Sequence, residues 1–211
     1  MAFAWISAWL SRPPLPTVRS LREEGFIAID LETTGLDPCR DAIVSFAAIP
    51  FVGGEPRPGH VTLVDPGRPI PGASTAIHGI TDAMVAGAVS TERLITQLDT
   101  LFGDRVLTGH GVNFDLAILD RERRVRGLPR LRNLPLDTQL LAAALHRRWP
   151  DFSLESVAER TGVPIRGRHT AEGDALMAGR ILLALLPALE ARGFRTAGEL
   201  AAFQRRGRPR L

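Results

Sequence analysis

An uninterrupted apolar run, Phe26-Ile27-Ala28-Ile29, leads into two carboxylates one residue apart, Asp30 and Glu32, before Thr33-Thr34-Gly35 turns the chain. Such a run bounded by a turn signal predicts a buried strand ending at Asp30. In a strand, residues i and i+2 point to the same face, so the two acids stand side by side. Adjacent carboxylates raise each other's pKa unless a cation lies between them. The chain must therefore fold so that the end of a core strand opens onto a place that tolerates paired acids. On its own, an Asp-x-Glu pair does not define an activity.

The rest of the chain supplies the layers around that strand. Ile43–Ile49 and Val61–Val64 read as a second and third strand, joined antiparallel through Gly53-Gly54. Residues 65–72 read as loop, and Thr91–Phe102 has helical spacing at Leu94, Leu98 and Leu101. Val106–Thr108 is a fourth strand, and Gly109-His110-Gly111 turns it into a helix from Asn113. Leu136 opens a fifth strand, followed by a helix through Leu140, Leu141 and Leu145. Ser153 caps another helix, and the last runs from Ala171 to Glu190 with Leu176, Ile181 and Leu185 on its buried side. Strands first, then strands alternating with helices, predict an α/β fold with a mixed five-stranded sheet flanked by helices.

With 211 residues, the chain holds one folded domain plus decorations, given about one domain per ~150 residues. Residues 1–24 are an apolar segment bearing Trp5 and Trp9, followed by a linker with Pro13, Pro14 and Pro16. Four apart, the two tryptophans share one helical face, expected to pack on the domain or a second copy. The folded domain spans 25–190, and 191–211 is an extension ending in a mobile arginine-rich tail. The apolar start is far short of the ~20 residues of a membrane span, and it lacks a basic leader region; the expectation is a cytoplasmic protein. The single cysteine, Cys39, excludes an internal disulfide framework and a cysteine zinc cluster. All 26 basic residues are arginine, yet the net charge is only +3, so the sign of the surface is decided locally. Six arginines between Asp120 and Arg132 are a candidate guide for a nucleic-acid backbone, or simply a solvated face.

Two further acids and a histidine fall at helix starts. Asp115 follows Asn113-Phe114, a place where the helix dipole alone favours an acid. Asp174 sits on the last long helix, and His169 five residues earlier lies beyond Arg166-Gly167-Arg168 on a segment free to move. Four carboxylates with one histidine and no cysteine make an oxygen-rich set that selects Mg²⁺ or Mn²⁺. Two such ions about 3.5–4 Å apart serve in-line phosphoryl displacement.

In this order, Asp30-Leu31-Glu32-Thr33-Thr34-Gly35-Leu36, Asn113-Phe114-Asp115, and His169 with Asp174 resemble the DEDDh family of 3′–5′ exonucleases, especially the proofreading epsilon-subunit type of bacterial DNA polymerase III. Ile77-His78-Gly79-Ile80-Thr81 is similar to that family's loop between its third strand and next helix, and the resemblance covers roughly residues 25–188. It implies a ribonuclease H-like fold and two divalent ions held by Asp30, Glu32, Asp115 and Asp174. It implies His169 as the general base toward the attacking water, a task that suits imidazole. One ion would activate the water and the other stabilise the leaving 3′ oxygen, releasing a nucleoside 5′-monophosphate. Leu36, His78 and Phe114 stand where such enzymes hold the terminal nucleotide, although plain core packing accounts equally for Leu36 and Phe114. Thr33, Asn113 and Arg168 complete the expected substrate contacts.

The expected substrate is a single-stranded DNA end, because Thr33-Thr34 resembles the epsilon type more than oligoribonucleases. RNA or an oligoribonucleotide on the same site, or a non-catalytic nucleic-acid-binding module, are the alternatives. One departure from the family is Gly111, where His-Asn is usual. Gln97–Phe102 faintly resembles a sliding-clamp peptide, but its apolar residues are expected to pack a helix onto the sheet. No long polymerase-binding tail follows the domain, which favours a stand-alone or accessory nuclease over a polymerase subunit.

Overall fold

Alternate residues of the first strand enter two different cores. In the computed structural model, which describes residues 17–23 and 25–207, β1 (Phe26–Thr33) puts Phe26 and Ala28 into one apolar cluster and Ile27, Ile29 and Leu31 into another. A strand buried on both faces needs a layer on each side. The layers come from α1 (Val18–Glu23), α4 (Thr91–Phe102), α5 (Asn113–Val125), α6 (Thr138–Leu145), α7 (Leu154–Thr161) and α8 (Ala171–Ala191). Leu94, Leu98, Ile118 and Leu119 cover one face; Ala175, Ile181 and Leu185 cover the other.

The remaining strands are β2 (Ile43–Val52), β3 (Glu55–Pro56), β4 (His60–Asp65), β5 (Val89–Ser90), β6 (Leu107–Gly109) and β7 (Pro135–Asp137). The order is β5-β4-β2-β1-β6-β7, with β3 paired to β2. β1 to β4 pair antiparallel, whereas β6 runs parallel to β1 and β7 parallel to β6. The expected mixed α/β sheet and the five expected strands are present, β6 and β7 with three residues each. The two additional strands, β3 and β5, have two residues each and carry no apolar run to announce them.

Three expectations need correction. β1 does not end at Asp30: it stays paired to β2 through Glu32↔Ser45 and shifts register only between Glu32 and Thr33. On its other edge β6 pairs only with Ile27 and Ala28, so the strand passes beyond its parallel neighbour before it turns. The segment after Pro71 is helix, α2 (Gly72–His78), followed by α3 (Asp82–Val85), so His78 closes a helix rather than sitting in a loop. Leu176 is only half-buried; Met177 and Ala178 carry the inward stripe instead.

The extension beyond 190 also forms structure. Thr196 and Glu199 make a capping box for α9 (Ala197–Phe203), which buries Ala197, Leu200 and Phe203. Gln204 then accepts the Asp137 N–H and donates to the Pro135 carbonyl, at 2.8 and 3.1 Å. The readings of Trp5, Trp9, the prolines before Thr17 and the last four residues lie outside the described residues. No helix among the described residues is long and apolar enough to cross a membrane. Leu98 and Phe102 are buried on α4, so the clamp-like hexapeptide is part of the core.

Candidate active site

Asp30 and Glu32 lie on the β1 face that carries Phe26 and Ala28, the face covered by α8. The first turn of α8 sets Asp174 over them. Asp30, Glu32 and Asp174 each offer a carboxylate oxygen within 4.8 Å of the others. Asp115 approaches from α5, and its Oδ1 accepts the Leu31 backbone N–H at 3.1 Å. It lies outside the tight trio but close enough to raise the Asp30 carboxyl.

The electrostatics follow from packing acids together. Burial first, then Asp115, Asp174 and Glu32, push the Asp30 carboxyl well up; Arg168 opposes them. Burial and Asp174 push Glu32 to about 7. Burial holds Asp115 at about 8 against two backbone N–H bonds that lower it. Asp174 is raised by burial despite the facing Arg168. The Oδ1 atom of Asp174 is buried without a hydrogen-bond partner, an oxygen that a cation would satisfy. With a donor set of carboxylate oxygens alone, these residues fit a hard divalent cation.

His169 is exposed beside this cluster and is the one non-glycine residue with positive φ among the described residues, at 59°. Sparsely populated backbone of this kind persists where the surroundings impose it. They do so here through Thr170, whose Oγ1 caps α8 at Gly173 N and donates to the Gly167 carbonyl, at 3.1 and 2.7 Å. Gly173 is required because a Cβ there would lie 2.0 Å from the Gly167 oxygen. His169 is thus held on a shaped turn, a more defined position than a free loop.

Arg168 is partly exposed, and its guanidinium is engaged by two acids. Its Nε donates to Glu155 at 2.6 Å, and its Nη1 pairs with Asp174 Oδ2. Arg168 is therefore the cation that faces Asp30, Glu32 and Asp174. Glu155, which holds it from α7, gave no signal in the sequence beyond its place in a helical first turn.

The other expected contacts divide. Leu36 is 87% exposed, which removes core packing as its explanation. Phe114 is half-buried against the second core. His78 accepts the Ile80 N–H on Nδ1 at 3.0 Å, leaves a buried Nε2 unpartnered, and has its pKa lowered by burial. Thr33 is 8% exposed and spends its hydroxyl on the Gly35 carbonyl at 2.6 Å. Asn113 donates to Asp137 Oδ2 at 3.2 Å.

Asp137 is the residue that the sequence reading missed. It is buried at the start of α6, where its Oδ1 accepts Gln139 N and Gly111 N at 3.0 and 3.1 Å. It ties the turn that precedes Asp115 to the next strand. Its signal was an acid directly before a helix, a cap position. His110 adds a second tie, through Thr138 Oγ1 at 2.9 Å and the Phe152 carbonyl at 2.8 Å. Gly111 has φ 74°, left-handed backbone that glycine and asparagine both enter readily, which reconciles the departure from the usual His-Asn.

Half of the arginine-rich stretch braces the fold. Arg123 is buried and braced by the Pro129 carbonyl and Asp99. Arg121 bonds the Pro38 and Asp41 carbonyls and Glu122, and Arg126 also pairs with Glu122. The expected local guide thereby loses half of its six members to bracing.

A family model described as Exonuclease (RNase_T) matches residues 27–182. The chain is 43% identical over 178 residues to a DNA polymerase III subunit epsilon-like protein of Rhodobacter capsulatus, covering 82% of this chain but only 25% of that protein. It is 31% identical over 170 residues to the DNA polymerase III subunit epsilon of Aquifex aeolicus, covering 81% of this chain and 84% of that one. Among solved structures it is similar to exonuclease X in complex with 5′-overhanging duplex DNA, with TM-score 0.63 and 28% identity over 83% of this chain and 97% of that chain. The mixed sheet with its flanking helices is the ribonuclease H-like architecture expected from the resemblance. By both sequence and fold, the chain belongs to the RNase_T exonuclease family.

Proposed function

We propose that this protein is a divalent-metal-dependent 3′–5′ exonuclease that releases nucleoside 5′-monophosphates from single-stranded DNA ends. The observation that carries the reading is the trio of carboxylate oxygens from Asp30, Glu32 and Asp174 within 4.8 Å of one another. Asp115 beside them would complete the set that holds Mg²⁺ or Mn²⁺. When bound, such ions supply Lewis-acid stabilisation of charge on the transferring phosphoryl group and its attacking and leaving oxygens.

The chain's own groups supply the remainder. His169 on its shaped turn accepts the proton of the attacking water. Exposed Leu36 and half-buried Phe114 give apolar surface for the terminal nucleotide, a contact that tolerates any base. His78 at the C-terminal end of α2 is the remaining residue assigned to the same nucleotide. Asp137, through Gly111 and Asn113, positions the turn from which Asp115 projects.

The test is digestion of 5′-labelled single-stranded DNA with Mg²⁺ or Mn²⁺, beside a matched RNA and the variants His169→Ala and Asp30→Ala. A ladder shortening from the 3′ end, dependent on metal and crippled in both variants, is expected. A ladder on RNA alone would keep the site and change the substrate. Binding without hydrolysis of either strand, from folded protein, would overturn the enzymatic reading.

A further inference from the structure

At the end of α6 away from Asp137, the chain turns through His146–Trp149 and lines an open cavity of about 580 Å³ with Arg192, Phe203 and Arg206. Four arginines, Arg147, Arg148, Arg192 and Arg206, line it, and no acidic residue does; of these, Arg192 also donates through Nη2 to the Leu145 carbonyl at 2.8 Å. None of the four is in an ion pair among the described residues. Like charges gathered on one concave wall repel, and a polyanion relieves that cost. Arginine's planar fork matches phosphate oxygens in particular.

The cavity is linked by packing and one hydrogen bond to the turn that precedes Asp115. Trp149 stacks on His146, with ring centres 4.1 Å apart and 1° between planes, and Arg160 lies 5.3 Å from the indole centre. The same indole is 6.1 Å from the Phe152 ring. The Phe152 carbonyl in turn bonds His110 at 2.8 Å, in the turn before Asp115. α6 has eight residues, so its two ends are ~12 Å apart at ~1.5 Å per residue. At ~3.4 Å per stacked nucleotide, that distance is about three to four nucleotides of one strand.

We propose that this arginine-lined cavity is a second nucleic-acid site, which holds phosphates of the strand upstream while the 3′ end occupies the acidic pocket. The proposal rests on the exonuclease reading, and it assigns to Arg147, Arg148, Arg192 and Arg206 the electrostatic task that the braced arginines of α5 do not perform. Substrates of four or more nucleotides reach both sites; a mononucleotide ester reaches only the acids.

The test compares the protein with the double variant Arg147→Glu/Arg148→Glu, both exposed positions, with Arg147→Gln/Arg148→Gln as the milder pair. The substrates are thymidine 5′-p-nitrophenyl phosphate, dT2 and dT12; dT12 binding is also read by anisotropy in EDTA. The charge-reversed pair is expected to raise KM for dT12 about tenfold, to remove about 1.4 from its salt slope, and to leave kcat unchanged. The ester and dT2 should be unaffected, and the glutamine pair should fall between. Unchanged KM and binding for dT12, or an equal loss on all three substrates, would overturn the proposal. So would preserved dT12 binding with selective loss of an oligo-aspartate peptide, which would make the cavity a protein-docking site. If no substrate is hydrolysed but the charge-reversed pair weakens dT12 binding in EDTA, the exonuclease reading fails and the second site stands.

Discussion

The Asp115 carboxylate accepts the backbone N–H of Leu31, the residue between Asp30 and Glu32, at 3.1 Å. The bond fastens the start of α5 to the strand that carries the first two acids, so the third acid is at once a brace and a charge. Removing the charge and removing the brace are therefore separable. Asp115→Asn keeps an acceptor oxygen and should fold as stably as the parent while losing hydrolysis. Asp115→Ala leaves the Leu31 N–H buried without a partner and should cost about 1–3 kcal/mol as well. Urea melts of both variants, beside their activity, check the pair.

Metal-free stability should fall as pH rises. Glu32 and Asp115 stand at about 7 and about 8, above their ordinary 4.5 and 3.8. Between those limits the folded state holds more protons than the unfolded state, so its advantage is full below the ordinary values and lost by about pH 8. Saturating Mn²⁺ should raise the melting temperature, most strongly at high pH where protons no longer compete, by an amount equivalent to about 2.7 kcal/mol at a hundredfold excess over Kd. An unchanged melting temperature at saturating Mn²⁺ would sink the metal-site reading.

Arg168 pairs with Asp174 and is held by Glu155. Arg168→Ala should lower metal-free stability by about 1–3 kcal/mol, because the acids lose the cation that faces them. Bound metal replaces that charge, so the Mn²⁺-induced rise in melting temperature should be larger in the variant than in the parent. Calorimetric scans with and without Mn²⁺ read both effects.

His169→Ala should reduce kcat about 10²–10⁴-fold. It should leave the Mn²⁺-induced rise in melting temperature intact, whereas Asp30→Asn should diminish both. Parallel rate and melting measurements separate a proton acceptor from a metal ligand.

Gly111→Asn should be tolerated better than Gly111→Ala. A Cβ there meets only Gln139 Oε1, at 3.8 Å, so the cost is conformational: φ is 74°. Alanine resists left-handed backbone by about 1–2 kcal/mol, and asparagine resists it less. Denaturant midpoints of the two variants decide it.

Much of this molecule is written locally in its sequence. The uninterrupted apolar run Phe26 to Ile29, the helical spacing of Leu94 and Leu98, and the cap at Ser153 are short-range patterns, and each produced an element of the expected type. The five residues proposed for hydrolysis were legible because their chemical types recur at strand ends and helix starts in a recognisable order. Tertiary structure decided what each polar side chain does. Whether an arginine steers substrate or braces the fold depends on partners far along the chain, as Arg123 with Asp99 and Arg168 with Glu155 demonstrate. Asp137 became visible as the holder of the turn before Asp115 only once β7 lay beside β6. The arginine-lined cavity exists only because the turn after α9, Gln204–Gly207, packs against α6 and brings Arg206 to the same wall as Arg147 and Arg148. Apolar periodicity is read within a few residues, but a charged group acquires its role from whatever the fold sets opposite it.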